Sequence, residues 1–287
     1  MASHLVGCSQ GGSLFRIDPT TGVGSVIGPI GVIGTNSMAK DANGAIYSAD
    51  TLKLIRIDPQ TGAGTVARAL QTATDIRGLA FSPAGVLYAI RNGGDPGAVD
   101  VPDDLVTIDT GTGAVTLVGS TGLSSLQALE FAPNGTLYAW DLGDGLVVVN
   151  PSTGAGGIVN PTYKPSADIQ GLAFGPNCVL FGARDALYTI NQSTGVETLV
   201  GSGGYTDVRG IEFVEDVEEP RRQPWTIFYA WLWMILVGGI LITPIGPLCI
   251  VCGNPIPDVL TRVIGVITVL LGAAGLRHAV ARPAARR

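Results

Sequence analysis

Histidine and charged residues are scarce in this chain. Only two of its 287 residues are histidine, and only 14% are charged. His4 is the one histidine before residue 215, so no Ser-His-Asp catalytic set is expected in that part of the chain. The net charge of −6 provides no basic stripe that could neutralise phosphates, which argues against a nucleic-acid partner. Any catalysis would depend on carboxylates.

A short turn phrase, by contrast, recurs five times. Its first copy is Asp18-Pro19-Thr20-Thr21-Gly22, and the others occupy residues 58–62, 109–113, 150–154 and 191–195. Successive copies begin 40, 51, 41 and 41 residues apart, which is the period of a four-stranded propeller blade rather than of a helical solenoid unit. The residue types fit a β-hairpin turn that needs no ligand.

Four strand-like segments make up each repeat, and the two ends of the chain hold complementary parts of one repeat. Residues 209–213 repeat the first strand with nothing after them. Residues 4–18 match the second and third strands with no first strand before them. We therefore predict an all-β, five-bladed propeller of four-stranded blades over residues 1–214. Strand 209–214 would close the ring on the N-terminal segment and leave no open sheet edge.

The innermost strand of this scheme carries the phrase Gly78-Leu79-Ala80-Phe81, and the outermost carries a phrase such as Thr116-Leu117-Val118-Gly119. This arrangement resembles the NHL-type repeat propellers of bacteria, and the resemblance covers residues 4–214. It implies the fold and leaves the function open, because propellers host binding and catalysis alike.

A different composition begins where the repeats end. Residues 215–224 form a charged, proline-containing linker, and residues 225–243 contain no charge over 19 positions. Residues 259–276 are also apolar, apart from Arg262 near their start. This pattern predicts two membrane-spanning helices, so that residues 225–287 form a transmembrane hairpin with a basic C-terminal tail. The lipid bilayer is therefore a predicted partner.

Basic residues flank this hairpin at both outer ends. Arg221 and Arg222 precede it, and four arginines and His278 follow residue 276. The positive-inside rule then predicts a multi-pass membrane protein with the propeller on the cytoplasmic side. Few lysines and many Gly, Thr and Ser residues are typical of exported propellers, which leaves an extracytoplasmic location as the alternative.

Two cysteines form the sequence Cys249-x-x-Cys252 between the apolar stretches. Such a pair is a candidate redox site or half of a metal site. No second pair of metal ligands accompanies it, and no thioredoxin-like βαβ pattern surrounds it. We therefore predict no metal here and keep the redox role beside a purely structural one.

The alignment of repeats brings polar residues to one mouth of the central channel. Three aspartates precede the innermost strands at equivalent positions, followed by two arginines and, further along, two glutamates; these are Asp75, Asp168, Asp207, Arg77, Arg209, Glu130 and Glu212. Such a ring could hold a cation or the hydroxyls of a sugar. The alternative is that Asp and Arg pair within and between blades. No other cofactor is predicted.

One insertion interrupts the regular period. Residues 92–104 are about ten positions longer than their counterparts and contain four acidic candidates for contact with a partner, Asp95, Asp100, Asp103 and Asp104. Propellers place recognition in such loops. Because it joins the second and third strands of its blade, the loop is expected on the same face as the aspartate ring.

Two classes of function remain open from the sequence. The first is a membrane-tethered, non-catalytic module that binds an unidentified protein, glycan or other ligand, or serves as an accessory subunit of a membrane complex. The second is a membrane-anchored hydrolase or lyase acting on carbohydrate, with Asp75, Asp168, Asp207, Glu130 or Glu212 as acid and base. Carboxylates about 5 to 9 Å apart in an open pocket would favour the enzyme, and salt-bridged carboxylates would favour the binding module.

Overall fold

The computed structural model describes residues 3–71, 75–93 and 101–215. This part of the chain folds into five antiparallel sheets of four strands each. The all-β, five-bladed propeller predicted from the repeats is confirmed. In chain order the strands are β1 (Ser3–Ser9), β2 (Ser13–Ile17), β3 (Gly24–Pro29), β4 (Ala39–Lys40), β5 (Ile46–Ala49), β6 (Lys53–Ile57), β7 (Gly64–Ala69), β8 (Ile76–Phe81), β9 (Leu87–Arg91), β10 (Asp104–Ile108), β11 (Val115–Ser120), β12 (Leu126–Phe131), β13 (Leu137–Asp141), β14 (Gly145–Val149), β15 (Gly156–Ile158), β16 (Gly171–Phe174), β17 (Leu180–Ala183), β18 (Leu187–Ile190), β19 (Glu197–Gly201) and β20 (Val208–Glu215).

The ring is closed by strands from opposite ends of the described chain. The closing blade has the strand order β20-β1-β2-β3. Strand β1 pairs antiparallel with β20 from Ser3, opposite Glu215, to Ser9, opposite Val208. The predicted pairing of residues 209–214 with the N-terminal segment is therefore confirmed. The strand extends one residue further, through Glu215, which the sequence assigned to the linker.

The first strand of each blade, that is β4, β8, β12, β16 and β20, lies next to the axis and contacts the corresponding strands of its neighbours. Small residues allow these strands to approach closely. A Cβ atom on Gly210 would lie 2.3 Å from the backbone nitrogen of Met38, a distance that no side chain could tolerate without a shift of backbone. At Gly78, Gly171 and Gly210 the close approach of the neighbouring innermost strand thus leaves no room for a side chain.

The recurrent turn also joins neighbouring blades. In the first copy, Asp18 Oδ1 accepts a hydrogen bond of 2.8 Å from the Thr20 backbone N–H, and Gly22 has φ of 69°. A Cβ on Gly22 would lie 2.4 Å from the backbone carbonyl of Gly201 in the adjacent blade. The turn phrase and the glycine that ends the outermost strand therefore form one joint, which explains why both recur.

Aromatic pairs fill four of the five spaces between blades. Their ring centroids lie 5.5 to 6.0 Å apart in tilted or edge-on contact, a favourable geometry for such pairs, and the pairs are Tyr47–Phe81, Tyr88–Phe131, Tyr138–Phe174 and Phe181–Phe213. At the fifth joint, which follows the closing blade, the strand register puts Val6 and Lys40 at the corresponding positions. The joint at the point of closure is thus charged rather than aromatic.

Within the described ranges, no helix is both long and apolar enough to cross a membrane. The two stretches for which the sequence predicts spanning helices, residues 225–243 and 259–276, lie outside those ranges. So do the linker after Glu215 and the Cys249–Cys252 pair.

Candidate functional site

Polar side chains from successive blades meet at one mouth of the channel. Asp75 lies just before β8 and Arg77 within it. The Arg77 Nε donates to Asp75 Oδ2 at 2.8 Å, and Asn36 Nδ2 of the preceding blade donates to Asp75 Oδ1 at 3.3 Å. Both carboxylate oxygens of Asp75 are therefore engaged. The terminal nitrogens of Arg77 have no hydrogen-bond acceptor among the described residues.

The same pairing recurs at the closing blade. Arg209 Nε donates to Asp207 Oδ1 at 2.8 Å. Its terminal nitrogens donate to Gln170 Oε1 and Gln10 Oε1, each at 3.2 Å. Asp207 has φ of 53°, a left-handed conformation that Asp tolerates better than most residues because its short side chain bonds locally. Arg209 thus links the closing blade to the blade before it at the mouth.

Asp168 is held by a third arginine. It forms an ion pair with Arg184, and its Oδ1 accepts a hydrogen bond of 2.5 Å from Gln170 Nε2. Arg184 Nε also lies 3.4 Å from Asp207 Oδ1. All three aspartates of the predicted ring therefore lie at this mouth, and each is salt-bridged.

A polar cavity of about 140 Å³ opens at the mouth. Two arginines, one aspartate and four amides line it: Arg77, Arg209, Asp75, Gln10, Asn36, Gln127 and Gln170. Gln127 is only 5% exposed as a whole. Its amide lines the cavity and makes no hydrogen bond to the described part of the protein, and it is not one of the fully buried groups there that lack a partner. Its hydrogen-bonding groups are therefore available to water or to a ligand in the cavity.

The axis is closed directly beneath this cavity. Side chains and backbone of the innermost strands, among them Met38, Leu79, Leu129 and Leu172, leave no space there for a water molecule. The mouth is therefore a shallow cup with a packed floor rather than the opening of a through-channel.

Glu130 and Glu212 lie further along the innermost strands, beyond that floor. Glu212 is 7% exposed. It accepts a hydrogen bond of 3.1 Å from the Lys40 backbone N–H, and the Lys40 Nζ lies 3.7 Å from it. Burial raises the pKa of Glu130 well above its usual range, and the nearby charge of Glu212 adds to this rise. Burial also raises the pKa of Glu212, against the lowering effect of Lys40.

The long insertion starts at the same mouth, because the Asn92 backbone N–H donates to the Asp75 carbonyl at 3.0 Å. Asp103 is buried and accepts a hydrogen bond of 2.8 Å from the Leu126 N–H of the next blade. Burial raises its pKa to about 6. Asp104 pairs with Arg91 at 2.6 Å. These two residues hold the base of the loop rather than presenting charge to a partner; Asp95 and Asp100 lie outside the described residues.

The mouth carries hydrogen-bonding groups that the described residues do not use. In residues 3–71, 75–93 and 101–215, no group of three or more His, Cys, Asp or Glu side chains could hold a metal ion. The predicted alternative to a ligand ring, pairing of Asp with Arg within and between blades, describes Asp75, Asp168 and Asp207 correctly. Pairing and cavity coexist, because the arginines use only part of their donors on the aspartates.

Two residues of this mouth were missed by the sequence interpretation, Gln10 and Arg184. Both follow the second strand of their blade, and this strand runs antiparallel to the first. Its end therefore lies beside the start of the innermost strand. The equivalent positions after the second strand of each repeat carry this signal in the sequence.

Comparison with known proteins identifies the fold and nothing narrower. No family model matches the chain, and no curated protein matches it. A chain from a crystal structure of a nidogen/laminin complex is similar over 75% of this chain and 99% of its own length, with 12% identity and a TM-score of 0.52. A second solved structure, from work on the de novo evolutionary emergence of a symmetrical protein, is also similar. The similarity extends over 73% of this chain and 98% of the other chain, with 20% identity and a TM-score of 0.50. The NHL-type resemblance stays a prediction.

Proposed function

We propose that the propeller is a non-catalytic binding module that recognises a polar ligand, free or as part of a glycan or protein partner, at the channel mouth. The observation that carries this proposal is the polar cavity of about 140 Å³ on a closed floor. Its unpartnered Gln127 amide and the free nitrogens of Arg77 offer hydrogen bonds that the described residues do not use. Binding sites are commonly concave and carry a few convergent polar groups.

The pairing of the carboxylates supports binding over carbohydrate hydrolysis. A glycosidase needs one carboxylic acid and one carboxylate facing an open pocket. Asp75, Asp168 and Asp207 each bond to an arginine. Glu130 and Glu212 lie beyond the floor of the cavity, away from any ligand bound at the mouth.

The module is further proposed to be tethered to a membrane by residues 225–287, as an NHL-like accessory subunit of a membrane complex with the propeller on the cytoplasmic side. The uncharged residues 225–243 and the flanking arginines support this placement. Protease protection in sealed vesicles of known orientation tests it at the 92–104 loop. Cleavage only from the cytoplasmic face is expected, and cleavage from outside would reverse the orientation.

Ligand binding is tested by thermal unfolding of the full chain with a panel of monosaccharides, amino acids and small organic acids. At ten times its Kd, a ligand adds about 1.4 kcal/mol of stability, which is roughly 3 to 6 °C for a domain of this size. We expect such a shift in the wild-type chain and in Arg56→Gln, which alters an exposed arginine on β6. The shift should be absent in Gln127→Leu. Equal shifts in all three proteins, or none, would contradict the proposed site.

A further inference from the structure

The donors at the mouth distinguish between kinds of ligand. Arg77 spends only its Nε on Asp75, so its two terminal nitrogens present an unused edge at the cavity. A planar guanidinium edge matches the two oxygens of a carboxylate. The Gln127 amide lies in the same lining and can both donate and accept.

The acidic residue of the lining offers little to a cation. Arg77 and Arg209 contribute two positive charges, and Asp75 is the one acidic residue that lines the cavity. Both oxygens of Asp75 already accept hydrogen bonds, so the residue has little left to offer a cation. Arg77 is paired with Asp75 and Arg209 with Asp207, so the charges at the mouth balance. The preference for a carboxylate rests on the two terminal nitrogens of Arg77, which make no hydrogen bond to the described residues.

We propose that the ligand presents a carboxylate to this cavity, held by the terminal nitrogens of Arg77, with hydroxyl groups next to the carboxylate meeting the Gln127 amide. This inference rests on the proposed function and narrows it to a class of ligand. The cavity volume of about 140 Å³ suits the end of a small hydroxycarboxylate, such as one acidic sugar unit, rather than a long segment of polymer. The Gln127 amide then selects the hydroxyls, and Arg77 selects the charge.

Calorimetric titration of the full chain with ligands of matched shape and different charge tests this inference. The probes are D-glucuronate, D-glucose and D-glucosamine, with glycerate and glycerol as a smaller pair, all at one ionic strength. We expect at least one carboxylate to bind ~10-fold or more tightly than its neutral counterpart, with glucosamine the weakest of the sugars. Arg77→Gln should weaken carboxylate binding ~10- to 100-fold, and Arg77→Lys should retain part of it. Arg56→Gln is the control.

The outcomes separate the two proposals. Binding of glucose or glycerol as tight as that of the carboxylates, lost in Gln127→Leu, would overturn the carboxylate assignment and leave the binding site standing. Preference for glucosamine would overturn the assignment as well. No binding by any probe would overturn both proposals. If Arg77→Gln unfolds, Arg77→Lys decides. Carboxylate binding by Arg77→Lys as tight as that of the wild type would contradict the guanidinium contact.

Discussion

Acidic and basic side chains pair both at the mouth of the channel and beneath its floor, but only the pairs at the mouth lie beside an open cavity. At the mouth, arginines hold Asp75, Asp168 and Asp207, and a cavity remains open beside them. Beneath the floor, Glu130 and Glu212 are surrounded by protein, and Lys40 is the cation beside them. The first arrangement leaves donors for a ligand. In the second arrangement, the charged groups pair with one another inside the protein.

This difference separates a surface built for binding from a joint built for closure. Lys40 occupies the position that phenylalanine holds at the other four joints, and Glu212 comes from the strand that closes the ring. A buried charge is costly without its partner. The Lys40–Glu212 pair therefore favours the contact between β20 and β4 at this joint.

The largest expected effect follows from removing that cation. Lys40→Met should leave two glutamates without a positive neighbour and lower the free energy of unfolding by about 2 to 3 kcal/mol. This is below the ~3 to 5 kcal/mol for breaking a fully buried pair, because the Lys40 side chain is 31% exposed. Chemical denaturation of the full chain measures it.

The matched control gives the closing joint the phenylalanine that the other four joints have. Lys40→Phe combined with Glu212→Ala restores the residues that stand at 81 and 80 in the next blade. The double variant should recover most of the stability lost in Lys40→Phe alone. A loss equal to the sum of the two single variants would show that the pair does not act as a unit.

A smaller effect is expected from Glu130, and it depends on pH. Its pKa is raised in the folded protein by burial and by Glu212, so the folded state binds more protons than the unfolded state above the usual pKa of 4.5. Wild-type stability should therefore rise as pH falls from neutral toward that value. Glu130→Gln should be more stable than wild type at pH 8, by about 1 kcal/mol, and show a smaller rise. Denaturation curves between pH 5 and 8 that are parallel for the two proteins would contradict this account.

The fold was predictable from the sequence because it repeats. The turn glycines, the period and the split blade at the two ends define the propeller without any knowledge of contacts. The three aspartates meet at one mouth for the same reason, since equivalent residues of a ring lie at equivalent heights; their role in binding stays a prediction. The burial of Asp103 could not be predicted from the repeats, because Asp103 accepts a hydrogen bond from the Leu126 N–H of the next blade. Lys40 was not recognised either, because its role follows from the one joint that departs from the repeat.

The most direct test of the separation between mouth and joint is the free energy of unfolding of Gln127→Leu, measured beside that of Lys40→Met, together with ligand binding by both. Leucine removes an amide that makes no hydrogen bond in the described protein, so we predict stability within about 0.5 kcal/mol of wild type and loss of binding. Lys40→Met should show the reverse, lower stability with binding retained in the folded fraction. If Gln127→Leu loses as much stability as Lys40→Met and binds as wild type does, the mouth is structural and the proposed function is wrong.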